Sequence, residues 1–119
     1  MLTLETYNDI CAALPATNHV VQWGGAHVWK VGDKVFAIGA VEADGRLHVT
    51  FKVSDAAWEL YREAPGLRPA PYLASRGFKW LQRTDDSFMD DAMLADYLGE
   101  SHRLAAANLS AAKRRNLGL

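Results

Sequence analysis

The chain has 119 residues, of which 50% are hydrophobic and 23% charged, and its formal net charge is -1. This length predicts one domain, 1–119, which can bury roughly two-thirds of its unfolded surface without a metal or a disulfide. The near-neutral charge excludes a protein whose whole surface binds nucleic acid. Because no apolar run reaches the length of a membrane span and no basic-then-apolar leader is present, we expect a cytoplasmic protein without a membrane partner.

Charge is segregated along this chain. The stretch from Gly66 to Thr84 contains no acid but four cations, Arg68, Arg76, Lys79 and Arg83. The following stretch, 85–100, contains only acids as charged residues: Asp85, Asp86, Asp90, Asp91, Asp96 and Glu100. Residues 109–119 carry Lys113, Arg114 and Arg115 without an acid, and we predict a basic, partly flexible tail there.

The first half of the chain predicts a helix followed by an antiparallel meander. Thr3 is a good N-cap, and apolar residues recur at helical spacing until Pro15 prevents continuation. Residues 20–23 are short and β-prone, and three main strands follow at 27–31, 34–41 and 46–53, with Gly32-Asp33 and Asp44-Gly45 as turns. In the last strand apolar and polar residues alternate, which indicates a half-buried sheet.

The second half predicts two helices around a small hairpin. Ser54 caps a helix over 55–64, and two β-prone runs, 72–73 and 78–81, flank a turn at 75–77. Ser87 and Asp90 resemble a capping box before a long helix with an apolar stripe. The order of helix, three main strands, helix, two strands and helix predicts an α+β fold, with helices packed on one antiparallel sheet in two layers.

Short motifs occur in a fixed order along the chain: Gln22-Trp23-Gly24, Lys30-Val31-Gly32, Lys34-Val35-Phe36-Ala37, Phe51-Lys52-Val53-Ser54, Gly66-Leu67-Arg68-Pro69 and Lys79-Trp80. This series resembles the MmcQ/YjbR family of small bacterial proteins over about Asp9 to Asn108. The resemblance implies a secretion-chaperone-like two-layer fold and a "double wing" DNA-binding role. The chain departs from the family near its C-terminus, where Asn108-Leu109-Ser110-Ala111 replaces a Lys-Leu-Pro-Lys type of tail.

The candidate site combines cations, which neutralise phosphates, with aromatic rings, which stack on the bases of a single strand. The candidate nucleic-acid-binding residues are Lys30, Lys34, Lys52, Arg68, Arg76 and Lys79, with Tyr72 and Trp80. The alternative is that the rings belong to the core and the cations only solvate the hairpins. Trp23, beside the flexible Gly24-Gly25, is a further candidate for an exposed ring.

The sequence contains no group of residues whose types and spacing are typical of a catalytic site. The four histidines are dispersed, the lone Cys11 offers no zinc framework, and Gly24-Gly25 lacks the rest of a phosphate-binding loop. The acids at 85–91 suit a helix N-terminus. We therefore predict a non-enzymatic module without cofactor or metal that binds DNA or single-stranded nucleic acid; a protein- or peptide-binding module is the alternative, and a small-molecule enzyme the third possibility.

Overall fold

The backbone of the computed structural model, which describes residues 1–119, contains four α-helices and six strands. In chain order these are α1 (Leu4–Ala12), β1 (Thr17–Gln22), β2 (Ala26–Val31), β3 (Lys34–Val41), β4 (Leu47–Lys52), α2 (Asp55–Tyr61), β5 (Leu67–Pro69), β6 (Trp80–Arg83), α3 (Asp91–Ala106) and α4 (Ala111–Asn116), with a 3-10 turn at Ala74–Arg76. None of the helices is long and apolar enough to cross a membrane.

The six strands form one antiparallel sheet in the order β1-β2-β3-β4-β6-β5. Strands β1 to β4 are sequence neighbours, so short turns at Gly32-Asp33 and around Asp44-Gly45 suffice to connect β2, β3 and β4. The β5–β6 hairpin then adds to the free edge of β4 through β6. The α+β class and the antiparallel sheet predicted above are confirmed.

Helices cover one face of the sheet and create the core. Tyr7 of α1, Leu94 and Leu98 of α3, and Phe51 of β4 are fully buried in one cluster. Ser101 of α3 fastens the helix to the sheet: its Oγ donates to the Phe36 carbonyl at 2.6 Å and accepts from the Lys52 N–H at 2.8 Å. The opposite face is left without a helix.

Side-chain caps set the starts of the helices. Thr3, Ser54 and Ser110 accept hydrogen bonds from backbone N–H groups at the beginnings of α1, α2 and α4. The long helix α3 begins later than predicted, because its cap is Asp90, which accepts from the Met93 N–H at 2.8 Å. Ser87 instead donates to Asp85 in the preceding loop, so the capping box predicted at Ser87 is wrong.

The small hairpin forms, but with different strands from those predicted. Residues 72–73 are not a strand; the paired segments are β5 and β6, with Leu67 opposite Arg83. Pro69 and Pro71 have no N–H to donate, and Tyr72 has a left-handed backbone with φ of 68°, so the extended chain ends there. The connection from Ala70 to Lys79 consequently forms a long loop around the 3-10 turn.

The C-terminal segment, which we expected to be partly flexible, contains the short helix α4. Leu109 and Leu117 lie against the β2–β3 turn, where a side chain at Gly32 would come within 3.2 Å of both. Lys113 lies 3.4 Å from the Asp33 carboxylate at the same turn. The tail therefore packs on one hairpin through apolar contacts and one exposed ion pair.

Candidate functional site

The sheet face opposite α1 and α3, called the outer face below, carries a row of side chains from four strands. Pairing places Ile38 opposite Thr50, Thr50 opposite Gln82, and Gln82 opposite Arg68. Because directly opposed residues point to the same side of an antiparallel sheet, these four side chains share the outer face. This row forms the floor of the largest concavity of the protein.

That concavity is a groove of about 700 Å³, which we call the aromatic groove. Its lining includes the row just described and the side chains Trp23, Asp44, His48, Tyr72 and Leu73. Trp23 is 65% exposed and Tyr72 is 87% exposed, so the aromatic groove presents two accessible rings. Trp23 follows β1 and Tyr72 follows β5, which are the two opposite edge strands of the sheet.

A directional hydrogen-bond chain crosses the floor of the aromatic groove. Arg68 donates from Nε at 2.8 Å and from Nη2 at 2.6 Å to Gln82 Oε1. Gln82 Nε2 in turn donates to Thr50 Oγ1 at 3.1 Å. A guanidinium can only donate, which forces the Gln82 carbonyl oxygen toward Arg68 and its amide nitrogen toward Thr50.

One rim of the aromatic groove is acidic. The Asp44 Oδ2 and His48 Nε2 atoms are 2.9 Å apart, and the Arg46 backbone N–H donates to Asp44 Oδ1 at 2.8 Å. The Arg46 N–H, followed by the bond with His48, holds the pKa of Asp44 below its ordinary value. Asp44 is therefore ionised at neutral pH, and together with Glu42 it marks the end of the groove away from the lysines.

The opposite end of the sheet carries a second, smaller concavity, which we call the lysine hollow. Its volume is about 250 Å³, and it is lined by Lys34, Val35, Lys52, Leu73, Phe78, Trp80, Ala105 and Asn108. Pairing of Ala37 with Phe51 brings the start of β3 and the end of β4 together, which explains why the two lysines converge. Leu73 lines both concavities, so the lysine hollow adjoins the aromatic groove.

The predicted site residues fall into separate groups. Lys34, Lys52 and Trp80 meet in the lysine hollow, and Arg68 and Tyr72 meet in the aromatic groove. Lys30 stands between Trp29 and Val31, which belong to the core, so it lies on the outer face of β2; Arg76 is on the 3-10 turn and exposed. Lys79 lies away from these groups, because its Nζ pairs with the Asp55 carboxylate of α2 at 3.1 Å.

Charge compensation divides the predicted cations further. Lys79 has its acidic partner, whereas Lys30, Lys34, Lys52, Arg68 and Arg76 form no ion pair within the protein. The lining of the lysine hollow contains no acid. Lys34 and Lys52 are thus two unpaired cations that share one acid-free hollow at the end of the sheet.

Several groove residues were not among the predicted site residues. Gln82 and Thr50 become neighbours only through the pairing of β4 with β6, across 32 residues of sequence. For Thr50 the sequence signal is the alternation of His48, Thr50 and Lys52 in β4, which assigns all three to the polar face; no such signal marks Gln82. Trp23 was among the predicted exposed rings, but its place in the same groove as Tyr72 depends on the fold.

Comparison with known proteins agrees with the motif series. The family model described as YjbR matches residues 12–104, which is more than half of the chain. Among solved structures, the chain is similar to Deinococcus radiodurans protein DR2400, which carries the family-model domain DUF419: the TM-score is 0.85 at 24% identity, covering 100% of this chain and 90% of that one. No match was found among the curated proteins. The chain belongs to the YjbR family.

Proposed function

We propose that this protein is a non-enzymatic module that binds single-stranded nucleic acid along the aromatic groove and the adjoining lysine hollow. The observation that supports it is the set of unpaired cations beside exposed aromatic rings, with Lys34 and Lys52 converging in the acid-free lysine hollow. The cations neutralise phosphates and release counterions, while the rings stack on bases. In a duplex the base faces are already stacked, so duplex binding by the hairpins as a double wing would use the same cations without the rings.

The chemistry of the aromatic groove supports binding over catalysis. His48 bonds to Asp44 and makes no hydrogen bond to the Thr50 hydroxyl, which accepts from Gln82 instead. A serine- or threonine-type nucleophile needs a base within hydrogen-bond reach. Without that contact, the polar groups of the floor serve as recognition groups.

The test is a fluorescence-anisotropy titration of labelled single-stranded and duplex 12-mers at two salt concentrations. We expect single strands to bind more tightly, with an affinity that falls steeply with salt. In the double variant Lys34→Ala/Lys52→Ala, the slope of log K against log salt should decrease by about 0.7 for each lost phosphate contact.

The matched control is Arg62→Ala/Arg103→Ala, which removes two positive charges from the helical side, where they pair with Glu59 and Glu100. An equal loss of binding in both double variants would show that only net charge matters and would contradict a site at the lysine hollow. Absence of binding to any strand at low salt, where the electrostatic contribution is largest, would rule out the proposed function.

A second candidate function, protein or peptide binding, is favoured by one observation. Trp23, Val21 and Val41 are more than half exposed near one end of the sheet. Aromatic and aliphatic surface of this kind is typical of the centre of a protein interface. This candidate predicts that the oligonucleotides do not bind in that titration, and that the affinity for a protein partner is insensitive to salt and to loss of Lys34 and Lys52.

A further inference from the structure

The two rings of the aromatic groove are held in a conformation that their residue types disfavour. Trp23 has φ of 52° and Tyr72 has φ of 68°, both in the left-handed region. A residue with a Cβ pays roughly 1–2 kcal/mol in that region, whereas Asn tolerates it better because its short amide can bond locally. Two large, exposed aromatic residues therefore occupy strained turn positions where neither packing nor turn chemistry requires a ring.

The hydrogen-bond chain of the floor leaves mainly donors available to a ligand. Gln82 Oε1 already accepts two bonds from Arg68, and Thr50 Oγ1 accepts one from Gln82. What remains are the other N–H groups of Arg68, the second amide hydrogen of Gln82 and the Thr50 hydroxyl hydrogen. A ligand that meets this floor must present acceptors.

Combining the walls and the floor, we infer that the aromatic groove holds one base of the bound strand and favours bases whose edge carries carbonyl oxygens. Trp23 and Tyr72 contact the base faces, and the donors of Arg68, Gln82 and Thr50 meet the carbonyl edge. Adenine, which has an exocyclic amino donor and no carbonyl, fits this floor poorly. This inference rests on the proposed function, because the flanking phosphates are held by the lysine hollow.

The experiment separates the contribution of the base to the affinity from that of the sugar-phosphate backbone. Three single-stranded 8-mers are compared by anisotropy at low salt. One has abasic sites throughout, and the other two are abasic except for a single central hypoxanthine or a single central adenine. The two purines have the same size, but hypoxanthine carries a carbonyl where adenine carries an amino group. We expect the hypoxanthine strand to bind about fivefold more tightly than the adenine strand, and the abasic strand to bind most weakly.

Two ring-deleting variants, Trp23→Asn and Tyr72→Asn, test the walls while keeping residues that tolerate the left-handed backbone. Each should lower the affinity for the hypoxanthine strand about fivefold or more and leave the affinity for the abasic strand unchanged. The control, Phe88→Asn, removes a ring that is 45% exposed and lies outside the aromatic groove, against Tyr61. It should leave all three affinities unchanged, with folding checked by thermal melting.

The possible failures are distinct. If none of the strands binds the wild-type protein, the proposed function fails and the inference fails with it. If the strands bind but the base adds nothing, or adenine equals hypoxanthine, nucleic-acid binding stands and the inference is overturned. The wild-type comparison alone decides this, and a shift of the Trp23 indole N–H resonance with the hypoxanthine strand, absent with the abasic strand, is the expected direct signature.

Discussion

At the scale of single residues, Arg83 shows how the fold can make a cation of a basic segment part of the protein interior. It belongs to the acid-free run from Gly66 to Thr84, yet its side chain is completely buried. Its Nη1 donates to the Met89 carbonyl at 2.9 Å and its Nη2 to Asp91 Oδ1 at 3.1 Å, while its Nε has no partner. Asp91 also accepts from the Leu2 N–H at 3.0 Å, so this pair joins β6, α3 and the N-terminus.

Removal of the acid from this pair should destabilise the protein more than removal of the base. Asp91→Ala leaves a buried guanidinium without its counter-charge, and we expect the free energy of unfolding to fall by about 2 kcal/mol. This is less than the cost of breaking a fully buried pair, because Asp91 is partly exposed. Arg83→Met, which leaves only a partly exposed carboxylate, should cost less. Urea unfolding measures both, with Asp96→Ala on the exposed side of α3 as the control; equal losses in all three would contradict this assignment.

At the scale of elements, close packing between α1 and β3 depends on the absence of a side chain at Gly39. A Cβ at this position would lie 2.5 Å from Tyr7 Cε2. The Tyr7 ring cannot easily withdraw, because its hydroxyl donates to the His27 carbonyl at 2.9 Å and the ring is fully buried. The glycine therefore sets the distance between the helix layer and the centre of the sheet.

Gly39→Ala should lower the free energy of unfolding by about 1–3 kcal/mol, as expected for overpacking of a core. Gly99→Ala is the matched control, because nothing lies within 4 Å of a Cβ added there in the middle of α3. That change should stabilise the protein by about 0.5–1 kcal/mol through the lower conformational entropy of the unfolded chain. Chemical denaturation compares the two, and the same sign for both would disprove the contact.

At the scale of the whole molecule, burial of weak acids in the core makes the stability of the protein decrease at alkaline pH. Burial raises the pKa of the Cys11 thiol from 9.0 to about 12 and raises the pKa of Tyr7 well above 10.0. Both groups bind their protons more tightly in the folded state than in the unfolded state. Their contribution is therefore fully present below about pH 9 and is lost as the pH rises above it.

We expect the free energy of unfolding to decline above pH 9 with a slope approaching about 1.4 kcal/mol per pH unit for each group. Cys11→Ala should have a shallower decline from pH 9 to 11, whatever its stability at neutral pH. Urea unfolding at several pH values measures this slope. Rapid reaction of the native Cys11 thiol with a thiol reagent at pH 8 would contradict the same burial.

Local patterns in the sequence determined most of the architecture. The alternation in β4, the turn at Gly32-Asp33, and the caps Thr3 and Ser54 all act between residues close in the chain, so each can be recognised without the fold. The motif series predicted the family correctly for the same reason, since it is a property of the chain itself. Misplaced elements, such as the strand at 72–73, lie where proline and a left-handed residue override β propensity.

The tertiary structure alone decided the composition of the candidate site. The aromatic groove exists because β6 pairs with β4, which brings Gln82 to Thr50, and because the sheet carries Trp23 and Tyr72 on turns from opposite edges. The same packing pairs Lys79 with Asp55 and buries Arg83, which removes both from the free cations. Residue types and their order are local properties of the sequence, whereas contacts and burial depend on which distant segments pair.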